Sequence, residues 1–154
     1  MRWLQFRINH YILTTNRSVS KFKENQCHLC QFCNQHSETI QHLFWTCNLV
    51  NTFWKELSSI LNSRCKHSHN FYFSEKLVLF GKSDLTYTDN VTDLIILIAK
   101  LFIYRCKVQG RNLYVRHFIQ DIYSRFCIEK HISRNSIEFK NRWHPYLELF
   151  RGLN

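Results

Sequence analysis

The chain has 154 residues, of which 45% are hydrophobic and 16% aromatic, enough for one substantial core or for a small module joined to a helical bundle, and too short for a large multidomain enzyme. A single proline and three glycines exclude a many-turned β fold and imply long, uninterrupted helices, so the expected class is mostly α. The formal charge of +10 points toward an anionic partner, and no apolar run reaches membrane-spanning length: the longest, Leu94 to Ala99, meets Lys100 and reads as a buried helix of an intracellular protein, in nucleus or cytoplasm.

In chain order, Leu4, Ile8, Tyr11 and Ile12 recur at helical spacing and predict a helix over residues 2–15. A polar, basic segment, Thr14 to Gln26, follows. Four of the seven cysteines and three of the nine histidines then fall between Cys27 and Trp54. Tetrahedral zinc takes two ligands from a C-x2-C turn and two from a nearby element. Five residues compete for four places: Cys27-x2-Cys30 and Cys30-x2-Cys33 are equally good turns, and His42 and Cys47 supply the second pair.

The set Cys30, Cys33, His42 and Cys47 leaves a polar turn, Asn34 to His36, and a helix start at Ser37, with Glu38 favouring the positive end of its dipole. Ile40, Leu43 and Phe44 then share one face beneath the metal. Taking Cys27 in place of Cys30 or Cys33 would leave a spare thiol beside the ion. Disulfides or plain buried thiols would also account for a cysteine cluster, but the odd total of seven, the absence of a signal-peptide pattern and the interleaved histidines favour metal. His28 and His36 read as solvated turn residues.

A second helix is expected over 48–62, with Leu49, Val50, Phe53, Trp54, Leu57, Ile60 and Leu61 on one face. Residues 63–90 give no clear pattern beyond Phe71-Tyr72-Phe73, a strand or a loop anchor. Asn90 and Asp93 resemble a cap for a helix to Gln109, stopped by Gly110. A last long helix begins near Asn112, carries Val115, Phe118, Ile119, Ile122 and Phe126 on one face, and ends or restarts at Ser133 to Ser136. The expected organisation is a linking helix and basic segment over 1–26, a zinc knuckle with its following helix over 27–62, and a helical region over 63–154.

The run CQFCNQHSETIQHLFWTCNLVNTFW resembles the zinc-binding domain at the C-terminal end of reverse transcriptases from non-LTR, LINE-type retrotransposons. Glu38-Thr39, His42-Leu43-Phe44, Cys47 and Phe53-Trp54 stand in that family's order, and Phe32 between Cys30 and Cys33 matches its C-x-F-C turn. Trp3 to Asn16 is similar to the helix that joins polymerase to knuckle. Leu79 to Gly81, Ala99 to Tyr104, Ile128 and Trp143 resemble the tail. The resemblance implies Zn2+ on Cys30, Cys33, His42 and Cys47, a nucleic-acid partner, RNA or DNA, and the polymerase part of a retrotransposon protein as a further partner. With Met1 just before the linking helix, it also implies a truncated or decayed element copy.

A polymerase palm needs clustered aspartates for two magnesium ions. The four aspartates, Asp84, Asp89, Asp93 and Asp121, include no adjacent pair, so no enzyme activity is expected. Positive charge flanks the knuckle: ten basic and three acidic residues lie in 100–143, against five and six in 27–99. Lys107, Arg111, Arg116 and Arg125, interleaved with Tyr104, Tyr114 and Tyr123, supply cations for phosphates and rings able to stack on bases. Two other functions compete with nucleic-acid binding: a zinc-stapled structural or protein-interaction domain, and an enzyme with a thiol or zinc-bound water, disfavoured because four ligands leave no open position.

Overall fold

The computed structural model describes residues 2–65, 70–81, 90–133 and 136–151, and with few glycines or prolines to interrupt them these segments are mostly helical. The elements are α1 (Arg2–Asn9), α2 (Asn16–Ser20), a π-helical turn (His42–Thr46), α3 (Asn48–Arg64), α4 (Glu75–Phe80), α5 (Asn90–Gln109), α6 (Val115–Ile132), α7 (Ile137–Trp143) and a 3-10 turn (His144–Phe150). Among the described residues the sole β pairing is an isolated bridge, Leu29 to Ser37, and no helix is long and apolar enough to cross a membrane. A small knuckle of loops and one π turn, followed by helices, is thus the architecture. Residues 1–53 with 73–113 form one compact unit, and residues 54–72 with 114–154 a second.

In the first unit, α1 buries Leu4 and Ile8 and packs on α4, and α4 and α5 both pack on the π turn. Phe53 stacks on Phe102 with ring centres 5.9 Å apart. The ends of α4 follow from its flanking residues: Ser74 Oγ accepts from Leu77 N, and Gly81 takes the left-handed conformation (φ 67°) that lets its N–H reach Leu77 O. Gly110 (φ 64°) stops α5 the same way, with Arg111 N donating to Cys106 O.

Lys100, at the end of the apolar run, is itself buried at 2% exposure. Its ammonium donates to Val78 O at 2.7 Å and to Gln5 Oε1, while Gln5 Nε2 donates to Leu79 O, so one lysine ties α5 to α1 and to the end of α4. Burial pushes Lys100 down to about 8 from 10.5, with Asp93 opposing. Between those values the unfolded chain keeps a proton the folded chain has released. Stability from this group therefore rises with pH across pH 8 to 10.5 and is lowest below pH 8, a gain on the order of 3 kcal/mol. Lys100→Met should abolish that rise, read as the difference in urea midpoint between pH 7.5 and pH 10; parallel behaviour of the two chains would contradict it.

The second unit is held by aromatic packing. Phe126 lies 5.5 Å from Phe139, 5.5 Å from Trp143 and 5.0 Å from Phe150, measured between ring centres. Such pairs add about 0.5–1.5 kcal/mol each beyond their buried area. Glu129 accepts from Trp143 Nε1 at 2.7 Å and pairs with Arg142. Phe71 to Phe73 form no strand: Phe71 is a buried loop anchor whose N–H and C=O are both bound by the Asn62 side chain, which stands in for a neighbouring strand.

Several expected boundaries move. Helix α1 stops at Asn9 rather than residue 15, because Tyr11 adopts φ 55°, and Tyr11 and Ile12 face solvent. On α3, Leu49 is 52% exposed and leaves the apolar face. The last long helix starts at Val115, and α7 restarts on Ser136, whose Oγ accepts from Phe139 N. Within 63–90, α4 forms where the sequence shows no clear pattern; residues 66–69 and 82–89 and the Asn90 side chain, hence its reading as a cap, lie outside the described residues.

Candidate metal centre

The four ligating residues come from two local devices. The first is a tight loop: Cys30 N donates to His36 O at 2.8 Å, Asn34 N to Cys30 O at 2.9 Å and Glu38 N to His28 O at 2.9 Å. Asn34 takes φ 53°, a left-handed conformation that asparagine tolerates better than most residues, and the reversal folds Cys33 back beside Cys30. The second is the π turn. Five residues of α-helix rotate by roughly 500°, which would leave Cys47 about 140° around the axis from His42. Here Cys47 N bonds to His42 O at 3.1 Å, and closing that wider ring brings the two side chains to one side.

The helical segment does not begin at Ser37, which is held in the bridge to Leu29. Thr39 caps it, its Oγ1 accepting from His42 N at 2.9 Å and its C=O from Leu43 N. Ile40, Leu43 and Phe44 are all buried, as their spacing predicts.

Cys30, Cys33, His42 and Cys47 converge so that their donor atoms all lie within 4.8 Å of one another. Cys30 Sγ to Cys47 Sγ is 3.9 Å and Cys33 Sγ to His42 Nε2 is 3.4 Å. A regular tetrahedron with zinc–sulfur bonds of about 2.3 Å and zinc–nitrogen bonds of about 2.0 Å has S–S edges of roughly 3.8 Å and S–N edges of roughly 3.5 Å, so the spacing fits zinc. The donor chemistry fits too. Backbone N–H groups of Phe32 and Cys33 point at Cys30, and those of Leu49 and Val50 at Cys47, each favouring the thiolate. Cys47 is in effect the N-cap of α3, where the helix dipole adds to the same preference. The Cys30–Cys47 hydrogen bond, followed by burial, raises Cys30 far above the ordinary thiol range, while the same bond lowers Cys47.

His42 is held below its usual value, mainly by burial and then by the nearby His36, with Glu38 opposing; the neutral ring is the ligating form. Its Nδ1 lies 3.2 Å from Thr46 Oγ1, and donating there leaves the Nε2 lone pair facing Cys33. Cys30 and Cys47 are fully buried and His42 nearly so, and Cys33 is partly covered. Zinc bound by these four would be closed and structural, a staple rather than a Lewis acid. Cys27 is exposed, its sulfur accepting from Leu29 N, and His28 and His36 are exposed.

Glu38 is the residue that sequence reasoning misjudged. Instead of sitting at a helix start it is fully buried, accepting from Asn16 N at 2.8 Å and Gln31 N at 3.0 Å, with Lys107 Nζ 3.3 Å away. Lys107 therefore faces inward, with 11% of its side chain exposed and its ammonium 5.8 Å from the centre of the Tyr104 ring. Nothing local signals a pair 69 positions apart. Arg111, in the same unit, is exposed; in the second unit Arg116 is exposed and Arg125 half-buried. Tyr104 and Tyr123 are partly covered, and Tyr114 is 53% exposed.

No curated protein and no solved structure matches the chain. Residues 1–54, which contain all four convergent ligands, match the family model described as zinc-binding in reverse transcriptase, and this match supports a zinc-binding, reverse-transcriptase-associated domain over those residues.

Proposed function

We propose that the chain is the zinc-binding, nucleic-acid-binding module of a non-LTR retrotransposon reverse transcriptase, gripping RNA template or target DNA without carrying out polymerisation itself. The observation that carries this reading is the closed Cys3His cluster inside a segment of the reverse-transcriptase zinc-binding family, in a chain of net charge +10. The metal fixes geometry; basic side chains meet phosphates. The exposed Arg111 and Arg116 and the half-buried Arg125 are the cations suited to this. With no adjacent aspartates in the sequence to hold paired magnesium, primer extension by the purified chain should yield nothing.

Binding should weaken steeply with salt, with a log–log slope of about −0.7 per phosphate contact on single strands. Replacing Arg111, Arg116 and Arg125 by glutamine should flatten that slope by about two without changing zinc content. An unmodified protein that shows no salt-sensitive binding to RNA or DNA at low ionic strength would leave the zinc-stapled interaction domain as the function.

A further inference from the structure

The outer face of α1 carries a pattern that the arginine-based reading does not use. Trp3, Phe6, Arg7 and His10 recur at i, i+3, i+4 and i+7 and form one stripe, opposite the buried Leu4 and Ile8. Trp3 is 49% exposed and Phe6 56%, and Tyr11, just past the helix, is 72% exposed. Large rings left in water are costly unless something covers them, and rings concentrated on one short face mark an interaction surface. Their neighbours define the chemistry. Arg2, Arg7, His10 and Arg17 are all exposed, and no acidic residue occurs between Arg2 and Lys23. The rings are also held in place: Trp3 meets Tyr104 edge-on at 6.4 Å, the Arg7 guanidinium lies 5.4 Å from the centre of the Trp3 ring, and Phe6 lies 4.3 Å from His10.

The geometry points to a stacking platform for single-stranded nucleic acid on this face, with bases laid against Trp3, Phe6 and Tyr11 and phosphates against Arg2 and Arg7. It rests on the nucleic-acid reading above and deepens it. Cations interleaved with rings, in a stretch of sequence without a carboxylate, suit a polyanion that itself carries aromatic bases; a protein surface would need its own acidic groups to match. A duplex, whose bases are already stacked, gains nothing from the rings, so the platform also implies a preference for single strands.

The test uses the full zinc-loaded chain, a labelled oligouridine and a duplex of the same length. Trp3→Ala/Phe6→Ala should lower single-strand affinity roughly 5- to 100-fold per lost stack while leaving the salt slope and zinc content unchanged, because stacking releases no counterions. Trp3→Phe should restore most of that loss, and Tyr11→Asn, chosen because asparagine accepts the left-handed backbone there, should add to it. Duplex affinity should not move. Should the double variant misfold, photocrosslinking of 5-iodouridine oligonucleotide to the unmodified protein still decides, with adducts expected on Trp3, Phe6 or Tyr11. If the chain binds single strands in a salt-dependent way but the ring variants keep full affinity and crosslinks fall elsewhere, the platform is wrong and the arginine-based reading stands. If the unmodified chain binds no nucleic acid, both fail. If ring removal instead abolishes a salt-insensitive self-association seen by sedimentation, the face is a protein interface and the platform is refuted.

Discussion

Chelating the metal from the full chain is expected to melt residues 27–47 while the second unit keeps its fold. The segment holds little structure of its own: a single bridge, a few loop hydrogen bonds and one π turn. Ordering its backbone costs on the order of 1–2 kcal/mol per residue, and Ile40, Leu43 and Phe44 return only about 1.5–3 kcal/mol each. A zinc ion on four such ligands supplies apparent energy of about 10–16 kcal/mol, which the segment cannot replace. The second unit has its own aromatic core around Phe126 and Trp143. Amide exchange should therefore accelerate sharply at Cys30, Leu43 and Cys47 after chelation and little within α6. Cys33→Ser and Cys47→Ser should release zinc, and Cys27→Ser should retain it. Full affinity in Cys33→Ser with loss in Cys27→Ser would mean that the ligand set is wrong.

The parts of this molecule that the sequence makes legible are those whose cause is local. Apolar spacing placed the buried faces of α6 and most of α3, Gly110 marked the end of α5, and ligand spacing narrowed the metal site to five candidates, four of which the fold brings together with their donor atoms within 4.8 Å of one another. The misreadings share a cause: each depends on a partner distant in sequence or on a choice between near-equal backbone states. Periodicity carried the first helix on to residue 15, but two buried residues were enough to anchor α1, and the chain turned at Tyr11. Ser37 and Thr39 are comparable caps, and the bridge to Leu29 decided for Thr39. A π turn is invisible to a 3.6-residue pattern, although the five-residue interval between His42 and Cys47 requires one if both are to face the same ion. Lys107 looked like any basic residue on an exposed helix face, and only the folded chain reveals that its partner is Glu38.

That pair yields the second large effect. Glu38→Ala is expected to destabilise the first unit by about 3–5 kcal/mol, because it leaves the Lys107 ammonium buried without a counter-charge and strips the acceptor from two backbone donors, Asn16 N and Gln31 N. For a chain of this size that corresponds to a drop in Tm on the order of 10 °C, and zinc affinity should fall with it, since Gln31 N lies inside the ligand loop. Lys107→Met should cost less. The carboxylate it abandons still accepts from both N–H groups, and the methionine fills the space of the lysine stem. The two variants also separate structure from binding. Lys107 already has its charge met by Glu38, so Lys107→Met should lower stability yet leave the salt slope of nucleic-acid binding where it was, whereas Arg111→Gln should flatten the slope and leave stability alone. The reverse pattern, a flatter slope in Lys107→Met with unchanged Tm, would mean that this lysine faces phosphate and that the buried pair does not form in solution.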